Sequence, residues 1–468
     1  MVVAMGEGAA AAVADAAGLE ELDVAGATVL RGLEDAHVHA EQWAVARRRL
    51  DLRAARSPRE VAALVAAAAA DRPPGEAIVG IGFRDALWQD APHKDLLAAA
   101  APDRVVLLLS HDLHTAWCSP AALRAIDRGD HPTGLLPEAE SYRATGLLQE
   151  HADADLDRWV ADALAEAATL GVTRIADYEM GDRLPAWQRR AGQAPPTTRV
   201  RTTVYREHLD TALDRGLPSG TPVPGTDGLV TVGPLKLFAD GALNSRTALC
   251  HDPYPGLVGT DHATGHLATS PDQLATLVRR ATAGGLDVAI HAIGDRANTI
   301  ALDAFEAAGR GGRIEHAQLL DPADVPRFAT LGVVAGVQPA HLLDDRDVAD
   351  RHWAGRTDRA FPFRDLAEAG VRMEFGSDAP VAPLDPWLAI VAAVARAAPG
   401  DEAWHPEQRL PVATALDASC DGRAELRVGD HADLCVVDRD PLAVDPDELR
   451  DVHVIATLLG GRWTHRVG

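Results

Sequence analysis

Short apolar runs recur along the chain at residues 27–39, 77–83, 104–112, 172–177, 200–205, 233–240, 286–291, 313–316, 333–338 and 372–378, separated by alanine-rich stretches that read as helices. This alternation predicts a parallel sheet. The polar or ionisable residues that end several runs predict chemistry gathered at strand C-terminal ends, as in a TIM-like (β/α)8 barrel of the α/β class. There are more runs than eight strands can use, so 77–83 and 104–112 are expected in an elaborated first connection. From about Leu410 the pattern changes to a helix followed by "ADLCVVDRDP" and "VIATLLGGRWTH". These read as paired strands of a small β unit, joined by the stretch around 22–30. The expected organisation is residues 1–30 and 409–468 in a small β-sandwich domain built from both termini, and residues 31–408 in the barrel.

Composition removes several function classes. Sixty-nine acidic residues against forty-five basic ones give a net charge of −24 over 468 residues, a field that repels phosphate backbones and anionic membranes. Neither nucleic acid nor membrane is an expected partner. No stretch approaches the length of a membrane span, since even 61–70 stops at Asp71 and Arg72. The alanine-rich start lacks a basic leader and contains Glu7 and Asp15, so a cytoplasmic protein is expected. Cys118, Cys250, Cys420 and Cys435 lie far apart without a CxxC pair and read as reduced, mostly buried thiols. Only two of the forty-five basic residues are lysine, Lys94 and Lys236, which directs attention to what each does that arginine does not.

The sharpest local signal is "GLEDAHVHA". Residues i and i+2 of a strand share a face, so His37 and His39 can point at one ion, although two solvated histidines would look the same. His291 closes "LDVAIHAIGD", His316 closes "RIEHAQ" and Asp378 follows "MEFG", each directly after an apolar run. Barrel strand ends converge on one mouth, which makes the recurrence informative where a single instance is not. Lys236 sits among Leu235, Leu237 and Phe238 in "VGPLKLFADG". It either snorkels or pairs with Asp240, or else it is a buried amine that gives up its proton and adds carbon dioxide to form a carbamate.

With these blocks in order, and with "IVGIGFRDALW", "SHDLHTAWCSPAAL", "ATGLLQE", "LKLFADGALNSRTAL", "IHAIGDRA", "VQPAH" and "FGSDAPVAPLDPW", the chain resembles the amidohydrolase superfamily over nearly its whole length. More narrowly, it is similar to the branch that includes N-substituted formamide deformylases. The resemblance implies one or two divalent metal ions, zinc most often. His37, His39 and Asp378 would hold the first, and a carboxylated Lys236 would bridge to a second held by His291 and His316. It implies that Asp378 is also the proton shuttle. His114 would be a catalytic or substrate-orienting group, with Trp88, Glu150, Asn244 and Arg246 as substrate contacts; each of these also has an ordinary structural reading.

The implied reaction is hydrolysis of a non-peptide C–N bond in a small amide, formamide or N-acyl compound. Cyclic-amide hydrolysis or deamination on the same barrel and a non-catalytic metal-binding scaffold are the alternatives; deaminases of the superfamily usually lack the lysine. A closed homodimer is the default assembly. Other histidines, including His111, His266 and His352, fall in polar stretches and read as solvated, with His341 in "VQPAH" a borderline case. Only about thirty residues precede the HxH block, where Arg31-Gly32 replaces the family's proline-glycine, so a reduced small β domain is expected.

Overall fold

The computed structural model describes residues 1–6, 23–24, 26–148 and 151–467. Eight strands form one sheet: β1 (Leu33–Val38), β2 (Val172–Asp177), β3 (Arg199–Tyr205), β4 (Val230–Phe238), β5 (Val288–Ala292), β6 (Arg313–His316), β7 (Val334–Val337) and β8 (Met373–Phe375). Every pairing is parallel and the spatial order is the chain order. A parallel sheet is covered on both faces, which is why β5, β6 and β8 are buried at every position.

The barrel closes where β8 meets β1. Asp378 N–H donates to the His37 carbonyl at 2.7 Å, and His39 N–H donates to the Ala379 carbonyl at 2.9 Å. Closure brings two backbones together at Gly376, where an added Cβ would lie 2.6 Å from both the backbone nitrogen and Cβ of His37. The Gly376→Ala protein is therefore expected to lose about 1–3 kcal/mol of stability, as overpacked sites do. Urea denaturation checks this, and an unchanged midpoint would show that the seam has slack.

The interior beneath the mouth is charged. Arg313 Nε donates to Glu315 Oε1 at 2.8 Å and Arg313 also bonds Glu374, while Arg201 reaches Glu34 at 3.3 Å and Glu374 at 3.6 Å. Buried ions of this kind persist only when paired. Gly336 on β7 makes room for them, since a Cβ there would sit 2.3 Å from Glu315 Oε2.

As expected, 77–83 and 104–112 lie outside the barrel. Ile78–Phe83 and Val106–Ser110 belong to a five-stranded sheet inserted between β1 and β2, with Leu50–Asp51, Thr115–Cys118 and Leu135–Pro137. Both termini also meet as expected: Thr28–Arg31 pairs antiparallel with Leu434–Val437, which continues to Val454–Leu459 and Arg462–Arg466. Among the described residues this unit is a single four-stranded sheet, and helix Asp153–Thr169 packs against its last two strands. Residues 7–22, the larger part of the amino-terminal stretch read above, lie outside the described residues. All four cysteines are buried and unpaired. Among the described residues no helix is long and apolar enough to cross a membrane.

Candidate metal centre and its cavity

The predicted strand-end residues converge on one cavity of about 540 Å3, lined by His37, His39, Lys236, His291, His316 and Asp378 among others. One ligand atom each from His37, His39 and Asp378 lies within 4.8 Å of the others, and a second such group is His316, His341 and Asp378. Two of these residues adopt left-handed backbone, His316 at φ 76° and Asp378 at φ 56°. Non-glycine residues rarely do so unless the surrounding structure holds them there.

The partners of the imidazoles are informative. His37 Nδ1 lies 2.8 Å from Glu315 Oε2, and the carboxylate, fixed by Arg313 and by the Tyr178 hydroxyl at 2.8 Å, holds the proton on Nδ1. Nε2 then carries the free lone pair and faces Asp378 at 3.5 Å. His291 Nε2 is 3.0 Å from the Gly241 carbonyl, which assigns the proton to Nε2 and leaves Nδ1 open. Tying one ring nitrogen to an oxygen in this way orients a metal-ligating histidine. His39 Nε2 is 3.1 Å from Asp378 Oδ1, while its Nδ1 is buried with no hydrogen-bond partner among the described residues.

Burial and the nearby Lys236 ammonium lower His37 to about 4 and His291 to about 3, and burial with His291 beside it pushes His316 well below the ordinary range. Neutral imidazole is the form that binds a cation. For Asp378, burial would raise the carboxyl, but the facing His37 and His39 rings outweigh it and keep the group ionised. The donor set and its orientation fit a divalent cation.

Lys236 is 2% exposed and its Nζ lies over the rings of Tyr178 and Phe238, at 4.7 and 5.1 Å from their centroids. Among the described residues no carboxylate comes within 4.0 Å of it, so the expected alternative of a pair with Asp240 does not form. Burial, only partly opposed by Glu315 and Asp378, lowers it to about 8. Asp240 instead accepts three backbone N–H groups, from Leu249, Ile293 and Gly294, and ties together the loops after β4 and β5.

The expected substrate contacts divide. His114 and Asn244 line the cavity. Trp88 does not: it is 8% exposed and packs with Phe83 and Trp117 in the core of the inserted sheet, where its apolar area is best buried. Arg246 is exposed and does not line the cavity, on a turn where its φ is 59°. Glu150 lies outside the described residues.

Some cavity groups lie outside the set expected from the sequence. His111 and His266 line the cavity, and His111 lies 3.0 Å from Asp344. His352, also read as solvated, is 8% exposed but does not line the cavity. Glu138, 2.9 Å from His114, also lines the cavity outside the expected set, and Tyr178, behind the lining, stacks on His37 at 3.9 Å. The sequence carries a signal for Glu138, since 133–138 reads TGLLPE and 145–150, which ends in the expected Glu150, reads TGLLQE.

Comparison with known proteins agrees with this geometry. Residues 20–465 match the amidohydrolase family. The chain is 28% identical to an N-substituted formamide deformylase of Arthrobacter pascens, over 94% of this chain and 89% of that one. It is 30% identical to the protein LONG AFTER FAR-RED 3 of Arabidopsis thaliana, over 88% and 76%. The crystal structure of an uncharacterized metal-dependent hydrolase from Pyrococcus horikoshii superposes with a TM-score of 0.77 at 28% identity, covering 94% of this chain and 91% of that one. With the match spanning barrel and terminal sheet alike, the chain belongs to the amidohydrolase family.

Proposed function

We propose that the protein hydrolyses a non-peptide C–N bond in a small amide, formamide or N-acyl compound, with one or two divalent cations, zinc being the expected ion. The observation that carries the reading is the meeting of His37, His39 and Asp378 within 4.8 Å at the floor of the cavity. A cation held there by His37, His39 and Asp378 would lower the pKa of a bound water toward neutrality and would polarise the scissile carbonyl. His37 and His39 would hold the first ion with Asp378, and His291 and His316 a second. Lys236 supports the second position: its amine, lowered to about 8, can add carbon dioxide with release of a proton, and the resulting carbamate offers two oxygens.

Asp378 takes the proton of the attacking water. As the new C–O bond forms and the C–N bond breaks, Asp378 returns that proton to the nitrogen, which leaves as a neutral amine. Leu113, Leu237, Phe238 and Leu243 on the cavity wall exclude bulk water and strengthen each polar contact inside. Deamination is disfavoured by the buried lysine, and an inactive scaffold by the survival of every residue the chemistry needs.

A panel of N-formyl, N-acetyl and N-carbamoyl compounds tests the reading, with N-substituted formamides first because one relative is named for them. Metal-loaded protein is expected to hydrolyse at least one class, to lose that activity on chelation and to regain it on reloading. Elemental analysis should find one to two ions per chain, on the order of a two-metal site at most. Protein that carries no metal after expression with metal supplied, or whose activity survives chelation, overturns the reading.

A further inference from the structure

His114 belongs to the inserted sheet, in the turn between Val106–Ser110 and Thr115–Cys118, yet it lines the same cavity as His37, His39 and Asp378. Its Nδ1 is 2.9 Å from Glu138 Oε2, and its backbone N–H donates to Asp112 at 3.1 Å. The other oxygen of Glu138 accepts from Thr247 Oγ1 at 2.7 Å and Ser245 Oγ at 3.0 Å, both on the barrel loop after β4. The carboxylate is thus held by three donors drawn from two parts of the fold, and the ring it fixes has one N–H left. Among the described residues His114 Nε2 has no protein acceptor.

We infer that His114 donates its Nε2–H to the carbonyl oxygen of the substrate and stabilises the oxyanion that forms there, and that Glu138 is the positioning residue that keeps His114 doubly protonated. The inference rests on the hydrolytic reading above and names the group that completes it. When hydroxide adds to the carbonyl, the C=O electron pair moves to oxygen, and a cationic donor already aimed at that oxygen favours the charge without reorganising.

The protonation state follows from the surroundings. Burial would lower His114, but Glu138 outweighs it and raises the ring to about 9. Burial would raise Glu138, but His114, Thr247 and Ser245 hold it at about 2. The pair therefore stays charged across neutral pH, and His114 serves as a donor and not as a base. The titratable groups facing it are Asp112, Glu138 and Tyr142 on the inserted unit and Asp240, His291 and Asp378 from the barrel.

The isosteric Glu138→Gln variant is the central test, with His114→Ala beside it. In Glu138→Gln the His114 resonance, followed by NMR, is expected to titrate at least about one unit lower, toward the ordinary histidine value near 6.5. The basic limb of kcat/KM should move toward acid by the same amount. His114→Ala should keep wild-type metal content and lose about 100- to 1,000-fold in kcat, the range for a missing oxyanion donor. An active wild type whose His114 titration and basic limb are unmoved by Glu138→Gln, or a His114→Ala kcat within threefold, overturns the inference and leaves the hydrolytic reading standing. Wild-type protein that is metal-loaded and hydrolyses nothing in the panel overturns both. If His114→Ala does not fold, the Glu138→Gln titration and profile decide.

Discussion

The Asp378→Asn protein is expected to fold, to keep its cation and to turn over about 1,000-fold more slowly than wild type, within the range for loss of a positioned acid–base group. The backbone contacts of residue 378, its N–H on the His37 carbonyl and the turn stabilised by Ser377 Oγ at 3.0 Å from Ala379 N, do not involve the carboxylate. The amide oxygen of asparagine stays near His39 Nε2 as a neutral ligand. What is lost is the ability to accept a proton and hand it to the departing nitrogen. Because that function acts only on the way to the transition state, kcat and kcat/KM should fall together while KM moves little. Metal content and stopped-flow rates on the same preparation check this; turnover within tenfold of wild type, with metal retained, removes Asp378 from proton transfer.

Lys236→Arg should hold no more than one ion per chain and lose at least about 100-fold in kcat/KM, corresponding to about 3 kcal/mol of transition-state stabilisation. Arginine keeps the positive charge on a somewhat longer, bulkier side chain, but its guanidinium does not deprotonate to add carbon dioxide. The site also leaves a permanent cation without an acceptor, since the Nζ of Lys236 lies over two aromatic rings and has no carboxylate within 4.0 Å among the described residues. Lys236→Ala separates the two causes. It carries no charge to repel metal, so a one-ion stoichiometry in both variants points to the missing carbamate. Two ions bound by Lys236→Arg would remove the carbamate role.

The barrel and its strand-end residues were legible because their signals are local. His37 and His39 sit two apart at a strand end, and Lys236 is one of only two lysines in a chain that otherwise uses arginine. Sites assembled from distant pieces were not. His341 is a borderline residue near a strand end in the sequence, and only the fold brings it beside His316 and Asp378. Glu138 and Glu150 close nearly identical segments, and only the packing of the inserted sheet selects the first for His114. Trp88 shows the reverse error: its place in a family-like block implies a substrate contact, but it packs with Phe83 and Trp117 in the core, its ordinary structural reading. The Arg313, Glu315 and Glu374 cluster was hidden for a related reason, since buried charges in a short run give no periodicity.

The inserted sheet occupies one uninterrupted span of sequence between β1 and β2, whereas the proposed metal ligands lie on or just after β1, β4, β5, β6 and β8. The inserted unit and the strand-end ligands are therefore separate in sequence, although His114 and Glu138 join them at the cavity. Drift within the span, roughly residues 50–148, can reshape that side of the cavity without touching the strand-end ligands, provided that His114 and Glu138 are kept. The Glu138 bridge to Thr247 and Ser245 sets the limit on that freedom, because any altered form of the unit must still dock on the same two hydroxyls.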